Sequence, residues 1–449
     1  MQSTSLRTKM KTINGDSLTP ILIFRRLQGQ RKFLLESSAQ HEGAGRYSFI
    51  GANPRKTYKG QEDEIQEVAY KTGQVYTHKG DLFVLLKRLM PRISNTTQFP
   101  FSGGAVGYVR QKEASLFAAK NERLALPDVY FHVYETIIVF DHVTDEVTLI
   151  HTNIDAEKKE PNLDELSEQL ITAREGEDTT YFNHSFESGS MEQFQASLME
   201  AKEMLDSEDE RIVLSKRFLA TLDGDAFSLY RTLRKKNPVA YMYYVDFDDH
   251  IVMGTSPESL IRVKGERVLA TPTKGMAKRG DTKADLENDR KLVEDLQIRN
   301  AHTALVRAMQ QELQSVCVRN SIQLMDPMRI ERSKQALYMT TRLEGKILPM
   351  LHALDVLKAT LPAGTYKERV KGQGEETAEI FGGAIGFIGF NGHLDFALTA
   401  RSMVVANKTL HMQTAITVTK YTNVNQLIEQ VVEEEQFFRQ LLQNEGSVN

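Results

Sequence analysis

The stretch FGGAIGFIGF, residues 381–390, has a near twin in SGGAVGYV, residues 102–109. In both, two glycines, an alanine, a β-branched residue, a third glycine and an aromatic follow in the same order. Glycine weakens a strand, through backbone entropy and the lack of a side chain to pack, so three in six positions call for a structural cause. Bulges, close approach of backbone to a ligand, or crossing points where two strands press together would each supply one. The copies lie too far apart for a solenoid repeat, and nothing similar occurs between them. The choice is between two strands of one architecture and two binding loops.

The rest of the chain bounds that choice. Its 449 residues suffice for one large or a few ordinary domains, and 41% hydrophobic with 26% charged residues is the balance of a soluble globular protein. A net charge of −4 without a basic stripe gives no footprint for nucleic acid. The single cysteine, Cys317, excludes an internal disulfide and cysteine-cluster metal sites, and suits a reducing compartment. The opening MQSTSLRTKMKTINGDS has no apolar signal-peptide core, and no run approaches the about 18 apolar residues of a membrane span. A cytoplasmic protein without membrane contact is expected.

Residues 1–150 read as strands and turns: FLLESS and RYSFIGANP alternate, and VYETIIVFDHVTDEVTLIHT reads as two strands about a polar turn. Residues 151–187 are polar and charge-rich, with a weak helical stretch near 163–171, and read as a connection. A second unit, 188–449, opens on a capping box, Ser190 with Gln193, and a helical face of Phe194, Leu198, Ala201 and Leu205. The longest helical signal is ADLENDRKLVEDLQIRNAHTALVRAMQQELQSV, striped by Leu305, Met309, Leu313 and Val316. Strands return near the end, and a helix rich in glutamate and glutamine closes the chain. Strands and helices in mixed order, without regular βαβ alternation, predict an α+β fold of antiparallel sheets covered by helices.

Many stretches together resemble one family, the chorismate-utilising enzymes, and within it the large subunit of anthranilate synthase. They are LLES (34–37), GRYSFIGANP (45–54), FSGGAVGY (101–108), IVLSKRF (212–218), NPVAYMYY (237–244), GTSPESLI (254–261), LPAGT (361–365) and GGAIGFIGFNGHLDFALTARSMVV (382–405). The resemblance implies two large antiparallel sheets packed face to face with helices outside. The twin glycine segments then become buried strands, the second beside the substrate pocket. It also implies chorismate as substrate, Mg²⁺ as cofactor, a glutamine amidotransferase small subunit as partner and tryptophan as feedback ligand.

Residue by residue, Arg401 matches the arginine that grips a substrate carboxylate, a task suited to a planar guanidinium. Gly275, Phe381 and Thr417 fall at substrate-binding positions, and Ser37, Tyr241 and Met242 at feedback positions. Ala240 stands where the feedback loop usually has proline. In TPTKGMAKRG, Lys274 matches the lysine with which aminodeoxychorismate synthases attack the ring, and Met276 replaces a substrate-facing threonine.

Other positions depart from the family. Ala301, Leu427 and Gln430 occupy Mg²⁺-ligand positions, with Glu429 a neighbouring candidate; Glu258 and Glu312 are further carboxylates for a rebuilt site. His302 is kept, Arg307 replaces an aspartate, and Tyr338 stands at the catalytic histidine. Ala415, Ile416 and Thr417 replace a Gly-Ala-Gly loop. Arg211 occupies the position of the isochorismate synthase base, where a guanidinium is too strongly protonated to act. Catalytic candidates are therefore Lys274, His302 and Tyr338. Three readings stand: a working anthranilate synthase large subunit, an aminodeoxychorismate-type enzyme using Lys274, and a non-catalytic relative that binds tryptophan or a partner.

Overall fold

The computed structural model describes residues 8–37, 45–93, 97–110, 126–154, 161–173, 181–205, 211–333, 336–361, 382–420 and 422–443. Among the described residues, two large sheets, of 11 and 12 strands, carry the architecture. Neighbouring strands run antiparallel. The first sheet runs from Thr8–Asn14 at one edge to Tyr181–Ser188 at the other. The second runs from Thr273–Lys278 to Gln74–Lys79, and Gln323–Arg332 pairs alongside Ala336–Lys346. The α+β expectation of facing antiparallel sheets with helices outside is met.

Strand alternation builds the layers. In Tyr241–Asp246, Met242 and Tyr244 point into a core shared with helices such as Ala226–Lys236 and Val424–Leu442. Tyr243 and Val245 point the other way, into an aromatic core with Phe33, Phe101, Tyr108 and Phe387 from both sheets. The outer face of the second sheet is covered by Leu82–Leu89, Leu296–Gln314 and Ala353–Ala359. The order of layers is helix, sheet, sheet, helix.

The twin segments are neighbours. Gly104–Val109 and Ala384–Gly389 pair with each other, Gly107 directly opposite Gly386. On the far side of each glycine stands a phenylalanine: Phe131 pairs with Gly107, and Phe396 with Gly386. The two rings meet over the glycines with centroids 6.2 Å apart. A Cβ on Gly107 would lie 1.9 Å from the Tyr130 carbonyl oxygen, and one on Gly386 1.9 Å from that of Asp395. Close approach is thus the cause of the repeated glycines. The same pairing joins a strand from early in the chain to one near its end. In the first sheet, Phe33–Glu36 joins Tyr241–Asp246 in the same way.

One helix expectation is revised. The long helical signal breaks into Thr282–Glu294 and Leu296–Gln314. Asp295 ends the first and caps the second, its carboxylate accepting from Gln297 N and Ile298 N. Ser190 caps its helix as expected, accepting from Gln193 N at 3.2 Å. Among the described residues no helix is long and apolar enough to cross a membrane.

Gly386→Ala is expected to lose about 3 kcal/mol of stability, because its Cβ meets a carbonyl of a packed neighbouring strand rather than a flexible side chain. Denaturant unfolding checks this, and a variant as stable as the parent would mean that the seam yields freely.

Candidate functional site

A cavity of about 670 Å³ opens between the sheets. Ser37, far from Tyr241 and Met242 in sequence, shares its wall with them. Ser37 follows the strand Phe33–Glu36, and the pairing of Met242 with Glu36 brings the segments together. Arg262 and Asp395 contribute from the second sheet. Arg262 Nε donates to Asp395 Oδ2 at 2.8 Å and Nη2 to the Tyr241 hydroxyl at 2.9 Å, while that hydroxyl donates to Asp395 Oδ1 at 2.9 Å. These three side chains close a ring across the gap between sheets. The Asp395 charge, followed by Tyr241, raises the Arg262 pKa, and burial raises that of Tyr241.

Glu36, in the same wall, accepts from the Tyr230 hydroxyl at 2.8 Å and from Arg234 Nε at 2.7 Å. His142, also lining the cavity, meets Ser48 Oγ at 2.8 Å, and burial lowers its pKa. Phe49, Phe387 and Met242 give the cavity apolar walls beside these polar groups. Such a space suits a ligand with an aromatic body and a charged head.

A second group forms beyond the edge of this cavity's lining. Arg401 begins a strand of the first sheet, opposite Thr255. Its Nε donates to Glu434 Oε2 at 3.1 Å, its Nη2 pairs with Oε1, and its guanidinium lies 5.0 Å from the Phe437 ring centroid. Tyr338, on the second sheet, faces this pair: burial raises its pKa, and the charges of Arg401 and Glu434 act on its hydroxyl in opposite senses.

Beside Tyr338 runs the strand Thr273–Lys278, where Met276 pairs with Tyr338 and Thr273 with Thr340, which places Lys274 and Gly275 between these register points. Gly275 has φ +93°, and a Cβ there would come 2.7 Å from Ile298 Cγ2. Lys274 acts electrostatically on Glu258, a carboxyl that is only 8% exposed. Burial pushes Glu258 up to about 8, against the pull of Lys274 and the Thr273 backbone. His302 is wholly buried and meets Thr341 Oγ1 through Nε2 at 2.7 Å. Burial lowers it to about 4, opposed by the Lys274 backbone, so it is a neutral, packed imidazole at pH 7.

Phe381 and residues 362–365 lie outside the described residues. Thr417 is placed by its backbone alone, opposite Val213. Glu429 is exposed on the C-terminal helix. Among the described residues no three His, Cys, Asp or Glu side chains converge to hold a metal ion. With Ala301, Leu427 and Gln430 at the expected ligand positions and Glu434 engaged by Arg401, these residues do not fit Mg²⁺. No chemical step here is routed through it.

Two members of these groups were not legible as such. Glu434 is one of three consecutive glutamates, but it stands three residues after buried Val431 and four before buried Phe438, on the inward stripe. That spacing was the available signal. Glu258 lies within GTSPESLI, and nothing in the sequence marks its encounter with Lys274.

Comparison with known proteins accords with this arrangement. The family of chorismate binding enzymes matches residues 30–423. The chain is 32% identical over 434 residues to anthranilate synthase component 1 of Lactococcus lactis, covering 90% of this chain and 93% of that one. It is 30% identical to the Aquifex aeolicus protein of the same name over 433 residues, covering 89% and 87%. The crystal structure of anthranilate synthase component I from Streptococcus pneumoniae superposes with a TM-score of 0.73 at 26% identity, covering 94% of this chain and 98% of that one. The menaquinone-specific isochorismate synthase of Escherichia coli shares the fold, with a TM-score of 0.71 at 12% identity over 98% and 95% of the two chains. From the span of the family match and the extent of these identities, the chain belongs to the chorismate binding enzymes.

Proposed function

We propose that the chain is an anthranilate synthase component 1, which replaces the ring hydroxyl of chorismate with ammonia and eliminates pyruvate to leave anthranilate. Ammonia would come from glutamine through a separate amidotransferase subunit, in the cytoplasm, as the first step of tryptophan biosynthesis. The observation that carries this reading is the inter-sheet cavity, where Ser37, Tyr241 and Met242 meet in a space suited to an aromatic amino acid. A tryptophan site of that kind ties the chain to a pathway ending in tryptophan.

The second group supplies the chemistry. Arg401 is the carboxylate-pairing cation. Glu258 holds its proton near neutral pH, so it is equipped to deliver that proton to a departing ring hydroxyl, which leaves as water. Lys274, beside it, is the one candidate nucleophile among the matched positions, and its attack on the ring would convert the product to the aminodeoxychorismate type.

A second reading rests on a specific observation. The described residues do not assemble a carboxylate set for Mg²⁺, and Arg401 is already paired with a protein carboxylate. On that reading the chain keeps the tryptophan cavity and has lost turnover.

Purified protein given chorismate and ammonium at high pH is expected to develop anthranilate fluorescence, read with Mg²⁺ and with EDTA. No emission in either arm would remove the catalytic reading. Tryptophan fluorescence reports the cavity directly, because the chain contains no tryptophan. Saturable binding is expected, with Ser37→Ala weakening it about tenfold through one lost hydrogen bond to a charged ligand group. Unchanged affinity would remove Ser37 from the site.

Glu258 gives a pH prediction. Its folded pKa of about 8 lies above the unfolded value of about 4.3, so its contribution to stability is complete below about pH 4 and is lost as pH rises through 8. Glu258→Gln is expected to gain stability over the parent from about pH 5 to pH 9, on the order of 2 kcal/mol or more. If the enzyme is active, the same variant loses about 10²-fold in rate. Thermal unfolding across that pH range, and a rate measurement, check the two effects separately.

A further inference from the structure

We propose that Glu434 is an internal competitor for Arg401, a carboxylate built into the C-terminal helix that sets how tightly this site holds an anionic ligand. The proposal rests on the reading of Arg401 as the carboxylate-binding arginine. Both nitrogens on one edge of the guanidinium are engaged, Nε with Oε2 at 3.1 Å and Nη2 with Oε1. That is the two-pronged geometry in which an arginine receives a ligand carboxylate. The guanidinium is further held over Phe437, one helical turn on from Glu434.

The pair is not a surface ornament. Its side chains are 26% and 18% exposed, so each charge is substantially desolvated and each depends on the other. Burial opposes the charge of Arg401, and Glu434 more than restores it. The two other glutamates of the run behave differently. Glu435 binds Arg439, one turn away, and receives the Ser188 hydroxyl at 2.8 Å, while Glu433 is exposed. Only Glu434 reaches from the helix to the first residue of the strand Arg401–Ala406.

The consequence is an exchange rather than a capture. A ligand carboxylate arriving at Arg401 must replace one carboxylate by another of equal charge, and must leave Glu434 without its cation in a desolvated place. A dianion gains little net attraction there. With Glu434 neutralised, Arg401 becomes a charge available to the ligand.

Equilibrium dialysis with chorismate tests this on the full chain. Glu434→Gln keeps the shape of the side chain and removes the charge. It is expected to bind chorismate at least tenfold tighter than the parent, while Glu433→Gln, on the exposed face, binds as the parent does. Adding Arg401→Ala to Glu434→Gln is expected to abolish the gain. Unchanged or weaker binding by a folded Glu434→Gln overturns the proposal, as does a gain that survives the loss of Arg401. If Glu434→Gln does not fold, Glu434→Asp retracts the carboxylate by one methylene. Tighter binding by that variant supports the competitor, and equal or weaker binding overturns it. Anthranilate is measured in parallel samples given ammonium and Mg²⁺. Tighter binding without product leaves the competitor standing and removes turnover, whereas product without tighter binding does the reverse.

Discussion

The contact on which the structure depends is the row Phe131, Gly107, Gly386, Phe396 across four strands of the second sheet. Two rings close over two absent side chains, and that is possible only because both glycines lack a Cβ. The seam lies between a strand from the first quarter of the chain and one from the last, so many residues must be ordered before it forms. Hydrophobic burial alone would accept any apolar strand at this place. The glycine pairs restrict the choice to one partner and, since every alternate residue turns to a different core, to one register.

That register decides where the cavity opens. Ile385 and Phe387 flank Gly386 and face the inner core, so a slip of one residue would turn them outward to the helices. Strand Leu394–Leu398, paired with Ala384–Gly389, carries Asp395 to within reach of Arg262 and Tyr241. The three-membered ring they form has members from both sheets. It substitutes polar contacts for packing where the sheets stand apart, and so permits a cavity without exposing unpaired charge to an apolar interior.

The strands in FLLESS and RYSFIGANP and the cap at Ser190 were legible because each rests on local sequence and needed no tertiary knowledge. The break at Asp295 was missed because Leu292 and Leu296 on either side continue the helical stripe, while a single carboxylate ends one helix and starts the next. The pairing of the two glycine segments was missed for another reason: similarity between strands says that they meet similar neighbours, not that they are each other's neighbours. The encounters of Glu258 with Lys274 and of Glu434 with Arg401 belong to tertiary geometry alone.

Those two encounters share a logic. Each places a carboxyl of this chain against a cation that would otherwise face an anionic ligand, yet the outcomes differ. Glu258 is buried deeply enough that desolvation outweighs Lys274, and it stays protonated near neutral pH. Glu434 meets a guanidinium in two-pronged geometry, at a place with partial access to water. One carboxyl is therefore held as an acid beside a lysine, and the other is engaged in an ion pair with an arginine. A ligand that reached Glu258 would meet a proton donor, whereas one that reached Arg401 would meet a carboxylate already in its place.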